Sequence, residues 1–334
     1  MQVTHERHAD EPRPAAADHA VYAHGVSKRF AGQAAVAGLD LAIPAGTIFG
    51  LIGPSGSGKT TTVRLLTGVH AQDEGTIAVL GQPPAAFTPA ERARIGYLPQ
   101  LPVLFPTLSL LGNLSFVASI YGMPLRRKER FREVLEFVEL WDDRRKLLRN
   151  ASGGMQRRLA LAAALVHEPS VLFLDEPTAG IDPVLRRKFW DRFAHLRDEG
   201  ATLIVTTQYV GEAAYCDVVG LLDGGRLVAC DTPEALREMA YGGDLVEVVA
   251  SDPLSAATLD ELAALPFVRR WEAVAEDARA CRLVVDEADE AMPRISGWFS
   301  ERGLGLQSLR EDEPSFDDVF VALVQGAQTQ DGDR

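Results

Sequence analysis

The sequence predicts an α/β fold followed by a small α+β domain. An apolar run at residues 48–52 precedes a glycine-rich turn and a helical pattern, the strand, loop and helix order of α/β proteins. After about residue 240 the pattern changes to short strands and helices. The chain has 334 residues, 46% hydrophobic and 24% charged, so its length and composition fit about two globular domains.

Several classes of protein are excluded by composition. The most apolar stretches, such as residues 109–122, are interrupted by Gly and Asn and fall short of a membrane span. Any membrane function would therefore need another chain to supply the spans. Residues 1–19 are rich in Pro, Ala, Asp and His without an apolar core, which predicts a disordered tail and no secretion signal. The three cysteines form no CxxC pair, as expected in a reducing cytoplasm.

The negative charge is concentrated at one end of the chain. Of the net charge of −13, nearly all lies in residues 244–334, which carry 20 acidic and 8 basic side chains. Phosphate contacts need Lys and Arg, so no nucleic-acid partner is expected for this part. The basic run at residues 126–132 has helical spacing and is interpreted as a solvated helix face.

The most informative segment is GPSGSGKT, residues 53–60, which matches G-x-x-x-x-G-K-[ST] between a predicted strand and a predicted helix. Glycines let backbone N–H groups point at phosphate oxygens, and the helix N-terminus adds positive potential. We expect Lys59 to neutralise the β and γ phosphates and Thr60 to offer its hydroxyl to Mg²⁺. The alternative is a glycine-rich turn that ends in an exposed lysine. The predicted nucleotide-binding residues are Gly53, Pro54, Ser55, Gly56, Ser57, Gly58, Lys59, Thr60 and Thr61.

A second half of the site is predicted in PSVLFLDEPTAGID, residues 169–182. The apolar residues 171–174 form a buried strand that delivers Asp175 and Glu176 to its carboxyl end, where ligands of parallel sheets collect. Asp175 is expected to hold Mg²⁺ and Glu176 to polarise the water that attacks the γ-phosphate. Alone, two carboxylates after such a strand could simply mark its exit into solvent.

The segment ASGGMQRRLA, residues 151–160, places Ser152, Gly153 and Gly154 before a basic helical run. Without the phosphate loop, this would be interpreted as a helix cap after a loop. Glycines cost helix stability, so two of them at a helix start need an explanation.

These motifs, together with Gln100 in GYLPQ, occur in an order that resembles the nucleotide-binding subunits of ATP-binding-cassette (ABC) transporters over residues 20–237. The resemblance implies a P-loop NTPase cassette with a helical subdomain at about residues 101–160. It also implies a head-to-tail dimer with two ATP molecules between the subunits. In that dimer Ser152, Gly153 and Gly154 would cap the γ-phosphate of the ATP bound by the opposite subunit.

The resemblance gives roles to further residues. Phe30 matches the aromatic that stacks on adenine, although it could be an apolar residue at a strand end. Gln100 matches the glutamine that senses Mg²⁺ and couples to the membrane partner, and Asp182 matches the aspartate that communicates across the dimer. Gln208 stands where most relatives have a histidine. Its amide can donate to a phosphate oxygen but cannot carry positive charge, so we expect an active ATPase that depends on Glu176, with Gln208 positioning only.

Two features resemble one branch of the family. TTQY at residues 206–209 is similar to ATPases of daunorubicin-type drug-resistance exporters, and PSFDDVFVAL near the end is similar to partners of ABC-2 type permeases. This implies a peripheral ATPase at the cytoplasmic face of the cell membrane. It would act as a homodimer or with a paralogous ATPase and drive a separate permease that exports a drug, lipid or other hydrophobic compound. Two alternatives are a soluble ABC ATPase acting on ribosomes or DNA, and a nucleotide-binding module without turnover.

The expected boundaries are a cassette at residues 20–240, an accessory domain at 244–326 and a disordered tail at 327–334. The accessory domain has the predicted order βαββαβ plus a final helix capped at Ser315, which suggests a ferredoxin-like fold. No catalytic constellation is present in it, so a regulatory or dimer-supporting role is expected.

Overall fold

The computed structural model describes residues 19–101, 103–124, 126–274 and 277–332. It divides into two compact units. The first unit comprises residues 19–209 and 215–227, and the second comprises 210–214 and 228–332, within the described ranges. Except for His19, which begins the first strand, the predicted N-terminal tail lies outside the described residues.

The elements that begin in the first unit follow in chain order. The strands are β1 (His19–Phe30), β2 (Gln33–Pro44), β3 (Ile48–Ile52), β4 (Glu74–Val79), β5 (Ile95–Leu98), β6 (Val171–Asp175), β7 (Thr202–Thr207), β8 (Val218–Asp223) and β9 (Arg226–Asp231). The helices are α1 (Lys59–Leu66), α2 (Pro89–Arg92), α3 (Leu110–Ile120), α4 (Lys128–Phe137), α5 (Gly153–Leu165) and α6 (Pro183–Asp198).

The central sheet has the order β5-β6-β7-β3-β8-β9, and its pairs from β5 to β8 are parallel. Strands β3, β6 and β7 are buried along their whole length, as expected for parallel strands covered on both faces. Because these strands run in one direction, their carboxyl ends meet at one edge of the sheet. The phosphate loop, Asp175 and Gln208 are all delivered to that edge.

A second, antiparallel sheet with the order β2-β1-β4 completes the core of the first unit. Its apolar residues, including Val21, Leu39 and Ile77, form one cluster with Phe49 and Leu51 of the central sheet. The phosphate loop thus follows a strand that is fixed by packing.

Helices α3, α4 and α5 form the helical subdomain that the resemblance implies. Helix α3 begins after Ser109, whose hydroxyl accepts a hydrogen bond from Gly112 N at 2.9 Å. The fully buried Asn113 accepts from Phe105 N at 2.7 Å and donates to Ser109 O at 3.0 Å. These bonds fix the chain segment that leads into the subdomain.

The second unit has the elements α7 (Pro233–Tyr241), β10 (Asp244–Ala250), α8 (Ala256–Ala263), β11 (Val268–Ala273), β12 (Ala280–Val285), α9 (Ala288–Glu301), β13 (Leu306–Glu311) and α10 (Phe316–Gly332). Its sheet has the order β11-β12-β10-β13, and all pairs are antiparallel. Apolar residues of the sheet pack with helices α8 and α9 around Leu262, Ile295 and Phe299. The predicted α/β cassette with a small ferredoxin-like domain is confirmed.

Two expected boundaries differ from the structure. Helix α7 lies in the second unit, which includes residues 210–214 and whose longer segment starts at residue 228, whereas 244 was expected. The helix packs against α10, where the Arg237 guanidinium lies 4.3 Å from the Phe316 ring centroid. Helix α10 continues to Gly332, although disorder was expected from residue 327. Once a helix is nucleated, each further residue adds a backbone hydrogen bond, so a polar end such as AQTQDG can continue it. Residues 333–334 lie outside the described residues.

Within the described residues, none of the helices has the length and apolar character that crossing a bilayer requires.

Candidate active site

The phosphate loop leaves no room for a Cβ atom at two of its glycines. A Cβ atom at Gly53 would lie 2.1 Å from Leu222 O. Gly58 has φ 105°, and a Cβ there would lie 2.3 Å from Ala35 O. Gly58 also precedes α1 without supplying a side-chain cap, so the N–H groups of the first helical turn face the loop unblocked.

Lys59 is folded into this loop. Its side chain is buried, and its Nζ donates hydrogen bonds to Gly53 O at 2.7 Å and Pro54 O at 2.8 Å. Burial lowers the pKa of Lys59 below the usual lysine value, against the opposing effect of the nearby Glu176 and Asp175 carboxylates. A phosphate in the loop would bring this ammonium an anionic partner.

Ser57 gives independent support for an anion in the loop. Its hydroxyl oxygen is buried and has no hydrogen-bond partner among the described residues. A buried polar group without a partner costs free energy, and such groups occur where a ligand completes the bonding.

Two of the predicted Mg²⁺-binding residues, Thr60 and Asp175, are brought together, whereas the third, Gln100, contacts Glu176. Thr60 Oγ1 donates to Asp175 Oδ1 at 3.1 Å, and Thr206 Oγ1 donates to the same oxygen at 2.6 Å. The other carboxylate oxygen, Asp175 Oδ2, is buried without a hydrogen-bond partner in the described part of the chain. A hydroxyl beside a buried, unpaired carboxylate oxygen fits a hard cation such as Mg²⁺.

Glu176 has an unusual backbone conformation, with φ 53°. Its N–H donates to Thr206 Oγ1 at 3.0 Å, and its carbonyl oxygen accepts from Ala179 N at 3.3 Å and from Arg157 Nη2. Gln100 Nε2 donates to Glu176 Oε2 at 3.3 Å. A residue in the left-handed region persists only when its surroundings hold it, and such strain clusters at functional sites.

Two further residues of the site, Thr206 and Arg157, were not among the predicted site residues. Thr206 lies opposite Asp175 in the parallel β6–β7 register, so knowledge of the strand order would have found it. Arg157 lies in the basic run of α5 and could be recognised only from its contact with Glu176.

Ser152 caps α5, because its Oγ accepts a hydrogen bond from Met155 N at 3.3 Å. No comparable local interaction explains why the next two residues are glycines. A Cβ at Gly153 or Gly154 would meet nothing within 4 Å, and both residues are exposed. Packing within the described chain therefore does not require glycine at these two positions. The space beside them is open to a group from another molecule.

The remaining predicted residues have other neighbours. The Phe30 ring is 43% exposed at the end of β1 and packs edge-on against His70, with 5.4 Å between ring centroids. Asp182 caps α6, and its Oδ1 accepts from Val184 N at 3.1 Å and Leu185 N at 3.0 Å. Gln208 is exposed directly after β7. The roles of Phe30, Asp182 and Gln208 toward a nucleotide stay predictions.

Comparisons with known proteins agree with this geometry. The sequence profile of a family described as ABC transporter matches residues 36–179. The daunorubicin resistance ATP-binding protein DrrA3 of Streptomyces coeruleorubidus is 38% identical over 312 residues, which cover 92% of this chain and 96% of that protein. The Nod factor export ATP-binding protein I of Burkholderia lata is 36% identical over 309 residues, 92% and 97% of the two chains.

Solved structures are similar as well. An ATP-binding subunit of an ABC transporter has a TM-score of 0.61 at 25% identity and covers 66% of this chain and 92% of its own. A dimeric ATP-binding cassette in a post-hydrolysis state, bound to ADP and Pi, has a TM-score of 0.59 at 25% identity and covers 64% and 98%.

Proposed function

Because this chain belongs to the family of ABC transporter ATPases, we propose that it is the ATP-hydrolysing subunit of an ABC-2 type exporter. It would bind Mg-ATP at a head-to-tail dimer interface and drive a separate membrane permease. The cluster of Lys59, Asp175 and Glu176 at the carboxyl edge of the central sheet is the observation that carries the proposed ATP hydrolysis.

Each residue of the cluster has a distinct task. Lys59 spreads the charge of the β and γ phosphates, and the loop N–H groups hold them in place. Glu176 accepts a proton from the attacking water, while Gln100 holds its carboxylate by a hydrogen bond. Bound Mg²⁺, held by Thr60 and Asp175 with Gln100 nearby, would neutralise developing charge on the phosphate oxygens. Gln208 would position the γ-phosphate without contributing charge.

The open start of α5 supports a dimer. Ser152, Gly153 and Gly154 form an exposed helix start that packing within the described chain does not explain. We assign this surface to the γ-phosphate of ATP bound by a second copy of the chain or by a paralogous ATPase. The site is then complete only when two subunits meet.

A groove next to the site supports a permease partner. Two adjoining cavities of about 530 and 570 Å³ share the residues Val69, Tyr97 and Tyr121. Near them Leu101 is 82% exposed and Val103 is 85% exposed. Exposed apolar side chains along a groove mark an interaction site. Leu101, one of these side chains, directly follows Gln100 in the chain. We propose that a cytoplasmic segment of the permease docks here.

The proposed location and cargo are based on the exporter ATPases that this chain resembles. The relatives' names refer to daunorubicin resistance and to Nod factor export, so we propose export of a drug, lipid or other hydrophobic compound. The ATPase would be peripheral at the cytoplasmic face of the membrane, and the second unit would support the dimer or regulate it. The alternative, a soluble ATPase acting on ribosomes or DNA, predicts partners in the soluble fraction instead.

Co-purification tests the proposal. The tagged full-length Glu176→Gln variant is captured with ATP from detergent-solubilised membranes of its host, and co-purifying proteins are identified by mass spectrometry. We expect a multi-span membrane protein to co-purify. Adding Val103→Glu to the tagged variant should abolish this co-purification. Val321→Glu is the matched control, because Val321 is exposed in the second unit. Recovery in the soluble fraction, with ribosomes or with no partner, would show that the exporter proposal is wrong.

A further inference from the structure

We propose that Arg157 is a positioning residue for ATP hydrolysis, which holds the peptide of Glu176 in its catalytic conformation. This inference rests on the proposed role of Glu176 as the general base. It adds a residue of α5 to the machinery of the chain's own site.

Arg157 is half-buried on α5 and directs its guanidinium toward the end of β6. Its Nη2 donates a hydrogen bond to the carbonyl oxygen of Glu176. The carboxylates of Glu176 and Asp175 also favour its charge, which opposes the cost of burying a guanidinium there.

Glu176 needs holding because of its backbone. With φ 53°, its backbone lies in a region that residues other than glycine rarely adopt. On its amide side Thr206 accepts the N–H, and on its carbonyl side Ala179 N and Arg157 donate to the oxygen. Loss of Arg157 removes the only one of these contacts that comes from a charged side chain. The peptide can then rotate and carry the carboxylate away from the attacking water.

The helix that carries Arg157 is capped by Ser152, five residues earlier. At 1.5 Å per residue these positions are about 7.5 Å apart along the helix. One helix therefore joins the surface proposed for the opposite subunit's ATP to the backbone of this chain's own Glu176.

The neighbouring Arg158 offers a matched control. Its Nη1 donates to Val138 O at 3.1 Å and Glu139 O at 3.4 Å, after the end of α4. Both arginines lie on α5 and donate to backbone carbonyl oxygens, but only Arg157 contacts Glu176. A general role of arginine in stabilising α5 would affect both variants alike.

The experiment is a double-mutant cycle on the purified full-length protein. Single-turnover and steady-state ATP hydrolysis are measured for the wild type, Arg157→Met, Arg158→Met, Glu176→Gln and the Arg157→Met/Glu176→Gln double variant. We expect Arg157→Met to lower kcat about 10²-fold, with KM and Tm nearly unchanged, since a misplacement of about 1 Å costs this much. Arg158→Met should stay within about twofold of the wild type, and Arg157→Lys should recover part of the loss, because it keeps a charged donor.

In the Glu176→Gln background, Arg157→Met should cause no further loss, because two residues that act through one group are not additive. An equal loss in both backgrounds, a change in KM alone, or equal effects of the two arginine variants would overturn the inference. Should Arg157→Met fail to fold, Arg157→Gln and Arg157→Lys carry the same cycle. Absence of turnover in the wild type would instead refute the proposed function, and the inference with it.

Discussion

The central sheet of the first unit and the sheet of the second unit use their strand ends differently. In the first, β3, β6 and β7 are parallel, so the phosphate loop, Asp175 and Gln208 follow strands that end at one edge. In the second, every pair is antiparallel, so the carboxyl ends of neighbouring strands lie at opposite edges. A parallel sheet brings distant chemical groups together, whereas an antiparallel sheet separates them.

The two units also differ in their charge pairing and backbone strain. Several charged side chains of the second sheet form pairs, as in Arg282 with Asp312 and Arg269 with Asp286, each at 2.7 Å. The described part of the second unit has no residue other than glycine with a positive φ, whereas the described part of the first unit has five, of which Glu176 lies at the sheet edge. Unpaired buried oxygens and strain at one sheet edge are features of a site built to bind and react.

The strongest test of this contrast is Glu176→Gln. The amide cannot accept the proton of the attacking water, so we expect kcat to fall about 10²–10⁴-fold while ATP affinity is kept. Phosphate release and nucleotide binding by the full-length protein measure the two quantities. Turnover close to that of the wild type would mean that another residue is the base and that the strain at Glu176 has a different cause.

A second test compares glycines in the two units. Gly154→Ala adds a methyl group where the structure has open space, so the fold should gain up to about 1 kcal/mol from helix propensity. Hydrolysis should nevertheless fall by about 10²-fold, because the methyl group would displace the γ-phosphate of the opposite subunit. Thermal unfolding and ATPase assays measure both effects.

Gly297→Ala is the control for that test. Gly297 also faces open space, inside α9 of the second unit. This change should stabilise the protein without affecting turnover. If Gly154→Ala behaves in the same way, no phosphate approaches α5 and the dimer proposal loses its main support.

The smallest expected effect concerns Gln208. Because its amide does not titrate, the rate of the wild type should show no step attributable to an imidazole near pH 6.5. Gln208→His should introduce such a step, and Gln208→Ala should lower kcat by less than about tenfold. Rate profiles between pH 5.5 and 8.5 test this, in the range that bounds ordinary histidine titration. An imidazole-like step in the wild type that persists in Gln208→Ala would place a titrating histidine elsewhere in the site.

Much of the site was predictable because its signals are contiguous. Gly53 to Thr60 encode a loop and a helix start through local backbone requirements, and the apolar run before Asp175 encodes a buried strand. The order of elements in the second unit likewise predicted its antiparallel sheet. The end of α10 and the start of the second unit were not predictable, since helix continuation and packing of α7 depend on tertiary contacts.

By itself, the sequence determined that the protein has a phosphate loop, two carboxylates after a buried strand and a glycine pair at the start of a helix. Only the tertiary structure decided that Thr206 and Arg157, 31 and 19 residues from their partners, hold Asp175 and Glu176. The reason is that strand order and helix packing depend on interactions between distant segments, whereas loop conformation depends on neighbouring residues.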